Sequence, residues 1–247
     1  MNMIKILTFV TFSFSTLCAQ KTTQFNVKIG GFTEGSTVKL LGSFVDQNYL
    51  ADTSKLAADG STSFSNAAGF KEGLYYLLLP DETNIQFLIA SGENNFTIKT
   101  TKANLSLGLQ AEGSVENTLL FDNLRFQSAL EAKFNALNQQ LRTAAPQTPQ
   151  YQDLKNKQQA LLDERDARLA DIKRQYPNAL YTKFKLAGQN PKIRFSFRPD
   201  GSLDSTLTMF NFQRDWWNDY DFTDLRLMSA SRASRSSSKA CCLFLRS

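Results

Sequence analysis

The hydrophobic period of this chain changes once, at Gly113-Ser114. Before that point apolar residues alternate with polar ones, the period of a strand with one buried face. After it they recur every three or four residues, the period of a helix. A chain patterned in this way builds a sheet-forming half and then a helical half. The expected class is therefore α+β: an N-terminal antiparallel β-sandwich, a long helical hairpin, short helices and a disordered C-terminal tail. At about 150 residues per domain, the 247 residues allow one or two domains.

The strand signals run from Gln24 to Leu109. Phe25, Val27 and Ile29 alternate ahead of a Gly30-Gly31 turn, and Val38 to Leu41 forms a second run. Asp59-Gly60 reads as a hairpin turn leading to Phe64. Gly73 opens the run Leu74 to Leu79, which reads as sandwich core and is closed by Pro80. Ile85 to Ala90, Phe96 with Ile98, and the alternating Leu105, Leu107 and Leu109 complete seven or eight short strands.

In the second half Ser114 is placed to N-cap a helix, with Asn117 where a capping box would carry Glu or Gln. Leu120, Leu124, Leu130, Phe134, Leu137 and Leu141 keep helical spacing until Pro146 and Pro149. A second helix is expected from about Tyr151 to Gln175, with Glu164 and Arg168 as an i,i+4 pair. A short connection between two long helices implies an antiparallel hairpin. A third helix is expected near Tyr181. The segment Ile193 to Phe197, a Pro199-Asp200-Gly201 turn and a fourth helix over Ser202 to Tyr220 follow.

Composition excludes several chemistries. Histidine is absent, which removes Ser-His-Asp and Cys-His catalysis and His-ligated zinc or haem. The three cysteines are Cys18, Cys241 and Cys242, so residues 20–228 hold no disulfide, thiolate metal site or CxxC pair. Lys5, Arg232, Arg235, Lys239 and Arg246 account for the whole net charge of +5, so residues 20–228 are neutral. That balance argues against a nucleic-acid partner. The local run Lys183, Lys185, Lys192, Arg194 and Arg198 reads as a solvated face.

Residues 1–19 read as a secretory signal peptide: Lys5 is the charged region, Ile6 to Leu17 the apolar region, and Ala19 the small residue before cleavage. The apolar stretch is too short to span a bilayer. Lipidation at Cys18 is the weaker reading, because Leu17 fits that signal poorly. The expected location is the periplasm or cell envelope, with no transmembrane helix after cleavage.

The order of these pieces resembles the N-terminal portion of envelope thioredoxin-like proteins of the AhpC/TSA and TlpA type. The residues that carry the resemblance are Phe25-x-Val27-x-Ile29-x-Gly31, Asp59-Gly60-x-x-x-Phe64, Gly73-Leu74-Tyr75-Tyr76-Leu77, Phe87-Leu88-Ile89, Asn95-Phe96-Thr97-Ile98, Glu112-Gly113-Ser114-x-x-Asn117 and the segment Asp215 to Leu227. It covers about residues 20–228. In that family a β-sandwich domain of unknown function and a helical spacer precede a CxxC-bearing thioredoxin fold. The resemblance implies a sandwich domain over 20–112, a helical spacer over 113–228, and truncation before the catalytic domain. It also implies a non-catalytic accessory or interaction module, not itself an enzyme, whose partner is a thioredoxin-like domain or another envelope protein. No catalytic, cofactor-binding or metal-ligating residue carries over, and no cofactor is expected.

Residues 229–247 change composition abruptly, to a Ser/Arg-rich run ending in Cys241-Cys242-Leu243-Phe244-Leu245. Three readings stand open: a basic nucleic-acid-binding tail, which conflicts with secretion; a plain disordered terminus; or the product of a reading-frame shift after Met228.

The sharpest local constellation interleaves Asp215, Asp219, Asp221 and Asp224 with Trp216, Trp217, Tyr220 and Phe222. The four aromatic residues are the candidate interaction surface, docking on a neighbouring domain while the acids are solvated. Rival readings are an envelope ligand-binding module, with carboxylates on Ca²⁺ or rings stacked on a glycan, and a structural scaffold that self-associates through its helical hairpin. Glu164, Asp166 and Asp171 read as surface ion-pair partners.

Overall fold

The computed structural model describes residues 23–45 and 47–229; the stretch expected to be a signal peptide, with Cys18, and residues 230–247 with Cys241-Cys242 lie outside the described residues. Eight strands form two four-stranded sheets. They are β1 (Thr23–Gly30), β2 (Thr37–Phe44), β3 (Gln47–Lys55), β4 (Ser61–Asn66), β5 (Gly73–Leu78), β6 (Asn84–Ile89), β7 (Asn95–Thr101) and β8 (Gln110–Glu112). One sheet has the order β4-β1-β7-β8 and the other β3-β2-β5-β6. Every pairing is antiparallel except β1 with β7, which is parallel.

The alternation in β1 puts Phe25, Val27 and Ile29 in the core. Phe25 lies in register with Phe64 on one side and Phe96 on the other. Its ring stacks on both, with centroids 5.2 and 5.0 Å away, and meets Phe87 of the second sheet edge-on at 5.3 Å. Burying a ring of this size contributes about 2–3 kcal/mol, and each well-oriented pair about 1 kcal/mol more. Strand β5 is buried on both faces at Leu74 and Tyr75, so the run Leu74 to Leu79 is core as expected.

Two strand expectations need correction. The Leu105 to Leu109 alternation is not a strand: a 3-10 turn at Lys102–Asn104 and further turns occupy it, and pairing resumes only at β8. Gly108 N–H donates to the Asn104 carbonyl at 3.1 Å, closing the turn locally. Conversely, β3 lacks apolar alternation because it is a largely exposed edge strand. Its one aromatic anchor, Tyr49, lies across Gly42 of β2, where an added Cβ would come within 2.3 Å of the ring.

The helices are α1 (Val115–Thr143), α2 (Pro149–Gln175), α3 (Leu180–Ala187) and α4 (Ser205–Asp215), followed by a 3-10 helix at Leu225–Ser229. Helix α2 starts earlier than expected, with Thr148 as N-cap and Pro149 in the first turn, where its missing N–H costs nothing. Helix α4 is shorter than the expected Ser202 to Tyr220 span; Asp204 caps it by accepting from Leu207 N–H at 2.9 Å. Helices α1 and α2 form the antiparallel hairpin. Arg168 sits 4.7 Å from the Phe126 ring, Lys133 meets Glu164 at 3.6 Å, and Gln158 donates to Asn138 at 3.0 Å. Arg168 therefore covers an aromatic face instead of forming the expected pair with Glu164.

The sandwich and the helices share one hydrophobic core. Leu120 and Phe121 of α1, Ile172 of α2, and Leu180 and Tyr181 of α3 belong to the same buried cluster as the strands. The polar junction is specific. Ser114 caps α1 by accepting from Asn117 N–H at 3.0 Å, and the Glu93 carboxylate accepts from the Ser114 hydroxyl and from Val115 N–H at 2.7 Å. In place of a capping-box Glu within the helix, Glu93 of the β6–β7 loop takes the first N–H groups of α1, at Val115 and Glu116. Glu116 does the same for α3, accepting from Leu180 N–H at 2.8 Å and Tyr181 N–H at 2.7 Å. Among the described residues no helix is long and apolar enough to cross a membrane.

Candidate functional site

The chain leaves α4 through turns and returns to the sandwich at the 3-10 helix Leu225–Ser229. Leu227 is buried, and Val45 N–H donates to the Met228 carbonyl at 2.6 Å. Gly73 makes the approach possible. A Cβ there would lie 2.5 Å from Ser229 Cβ and 2.8 Å from its carbonyl oxygen. The aromatic-acidic segment is thus anchored at both ends, by α4 and by the sheet.

The four candidate aromatics do not act as one group. Trp217, Tyr220 and Phe222 form a cluster: Trp217 lies 5.8 Å from Tyr220 and 5.6 Å from Phe222, and Tyr220 lies 4.8 Å from Phe222. Trp217 is 51% exposed and Phe222 67%, so ring surface remains open to solvent. Trp216 turns away, packs edge-on against Phe212 at 5.7 Å, and lines a cleft of 310 Å³. The other walls include Gln189, Asn190, Lys192, Arg194, Asp215 and Asn218.

The acids are each paired: Asp219 and Asp221 stay open to solvent, while the side chains of Asp215 and Asp224 are nearly covered. Asp215 is buried, bonds Arg194 and also meets Arg214 at 3.0 Å. Asp219 meets Lys173 at 3.3 Å. Lys183 bridges Asp221 at 2.9 Å and Asp224 at 3.1 Å, and Arg226 closes on Asp224 at 2.6 Å. These contacts set the charges. Bonding from Arg226 and then Lys183 holds the Asp224 carboxyl down to about 2. The Thr223 hydroxyl and Lys183 push Asp221 well below the usual carboxylate range. Arg194 and Arg214 lower Asp215, and the two carboxylates raise Lys183. Among the described residues no group of three or more potential ligands is placed to hold a metal ion.

No protein-family model matches this sequence, and no curated protein matches it.

The basic run that read as a solvated face is mostly engaged: Lys183 and Arg194 as above, and Lys192 with Asp166 at 3.0 Å. Lys185 is half-buried, which lowers its pKa. Glu164, Asp166 and Asp171 all take surface cations. Sequence reasoning missed the amide lining of the cleft. Its signal was the polar Gln189-Asn190-Pro191 turn, which carries no periodicity. It also missed Glu93, Glu116 and Arg226 as fixing residues, because their partners are distant in sequence.

Proposed function

We propose that this chain is a non-catalytic interaction module of an envelope thiol-disulfide system, with the Trp217, Tyr220 and Phe222 face as its docking surface for a thioredoxin-like domain. One observation carries the reading: solvent-open rings sit on a framework of paired acids and cations that holds them in place before any partner arrives. A preorganised aromatic cluster is what an interface hot spot requires. The family resemblance supplies the partner, and the signal peptide supplies the envelope location. With no His in the chain and no Cys in residues 20–228, the module brings no thiol or imidazole chemistry of its own.

The test is calorimetric titration of the purified chain with a CxxC-bearing thioredoxin-like domain from the same genome. Saturable binding that weakens about tenfold or more in Trp217→Ala is the expected result. No heat and no co-sedimentation with the wild-type chain overturns it. Insulin-disulfide reduction by the chain alone, persisting when Cys241 and Cys242 are both changed to Ser, would overturn the non-catalytic part.

The cleft favours a second reading. Trp216 beside the Gln189, Asn190 and Asn218 amides offers a ring face and several hydrogen-bonding groups, a combination suited to a glycan. A glycan-array signal lost in Trp216→Ala and retained in Trp217→Ala would promote it. The Ca²⁺ reading is not supported, since all four acids already hold cations.

A further inference from the structure

The charged side chains that line the cleft beside Trp216 cancel: Lys192 and Arg194 are positive, Asp215 and Asp219 negative. Each also holds an opposite charge. Lys192 meets Asp166 at 3.0 Å, Asp219 meets Lys173 at 3.3 Å, and Arg194 bonds Asp215, which Arg214 also reaches at 3.0 Å from outside the cleft lining. A charged ligand entering here finds no unspent opposite charge, and to gain a partner it must break one of these pairs.

Hydrogen-bonding capacity is not spent in the same way. Arg194 gives one N–H to Asp215 and keeps the rest of its guanidinium fork. Asp219 accepts from Lys173 at one oxygen and keeps the other. The side-chain amides of Asn190 and Asn218 have no hydrogen-bond partner among the described residues. Trp216 stands among these groups, held edge-on by Phe212 at 5.7 Å. The cleft thus offers a fixed ring, spare donors and spare acceptors, and no spare charge.

We propose that this cleft takes an uncharged sugar unit, stacked on Trp216 and held through its hydroxyls by Asn190, Asn218 and the unspent groups of Arg194 and Asp219. A hydroxyl both donates and accepts, so it satisfies an amide, a guanidinium N–H and a carboxylate oxygen in turn without bringing charge. A uronic acid sets a carboxylate beside Asp215 and Asp219, and an amino sugar sets a cation beside Lys192 and Arg194. The volume of 310 Å³ lies at the low end for small-ligand sites, so a short stretch of a sugar chain is enclosed and the rest stays outside. Such an occupant depends on the glycan reading of this cleft and narrows it by charge.

The probes are cellotetraose, maltotetraose and mannotetraose as neutral chains, tetragalacturonate as the acidic one and the glucosamine tetramer as the cationic one. Binding to the full chain is read by saturation-transfer NMR and by calorimetric titration. A neutral chain is expected to bind at least about tenfold more tightly than either charged one. Asn218→Ala, at an exposed position that leaves the fold intact, should weaken that binding about tenfold, and Trp216→Ala should abolish it. Trp217→Ala should leave it unchanged, which separates the cleft from the docking face. Equal or tighter binding of tetragalacturonate or the glucosamine tetramer, lost in Asn218→Ala and Trp216→Ala, overturns the neutral occupant and leaves the glycan reading standing. Absence of binding by every probe, or binding that both variants leave unchanged, overturns the two together.

Discussion

The side-chain amide of Asn117 satisfies both backbone groups of Leu88: its Oδ1 accepts from Leu88 N–H at 2.8 Å and its Nδ2 donates to the Leu88 carbonyl at 2.8 Å. Strand β6 is the edge of its sheet, and a fully buried helical side chain here takes the place of a fifth strand. Asn117→Ala leaves two buried polar groups without partners. The expected loss is about 2–4 kcal/mol of unfolding free energy, read from the midpoint of urea denaturation. An unchanged midpoint would mean that water replaces the amide at no cost.

Stability should fall in acid, with Asp224 as one named cause. Its carboxyl is held down to about 2 in the folded chain, below the ordinary value, by Arg226 and Lys183. A depressed folded pKa contributes stability that is present above the unfolded value near 3.9 and disappears as pH falls toward about 2. Asp224→Asn should lower stability at neutral pH by on the order of 2 kcal/mol and flatten this acid limb. Thermal melts from pH 2 to pH 6 read both effects.

Glu116 acts in the opposite sense. Burial raises its pKa above the usual range despite the two N–H groups it caps. Proton uptake by the folded state then favours folding at low pH, and that part declines as pH rises through the unfolded and then the folded value. Glu116→Gln should remove this decline. Because the amide can still accept at the α3 N-terminus, the helix should persist by circular dichroism; loss of helix would show that the charge is required.

Gly73→Ala should loosen the closing 3-10 helix without unfolding the sandwich. The added methyl enters space held by Ser229 Cβ and its carbonyl. Amide exchange at Val45, which donates to Met228, should accelerate about tenfold or more, while exchange at Val27 stays unchanged. Equal acceleration at both would show that the closing segment and the sandwich open together.

Trp217→Ala and Phe222→Ala should change stability by no more than about 1 kcal/mol, since both rings are more than half exposed. Trp216→Ala should cost more, through its edge contact with Phe212. Equilibrium denaturation of the three variants orders them.

What was legible in the sequence follows from which signals are local. The α+β order was readable because Phe25, Val27 and Ile29 bury one face and Leu120 and Leu130 follow helical spacing. Strand β3 was not, since an edge strand exposed along most of its length has no apolar period to show. Leu105, Leu107 and Leu109 showed a period that local turn bonds override. At the candidate site the aromatic residues were identifiable, but their division into a Trp216 cleft and a Trp217 cluster was not. Pairing such as Lys183 with Asp221 and Asp224 depends on tertiary approach, which spacing along the chain does not encode.

The bond from Val45 to the Met228 carbonyl joins the turn just after the second strand to the closing 3-10 helix. A ribosome delivers β2 and β5 long before the segment that covers them. The face of the sheet that takes Leu227 therefore stays bare through most of synthesis. A nascent chain paused before residue 225 would carry a folded aromatic core with an uncovered apolar strip, a substrate for holding chaperones until the closing turn emerges.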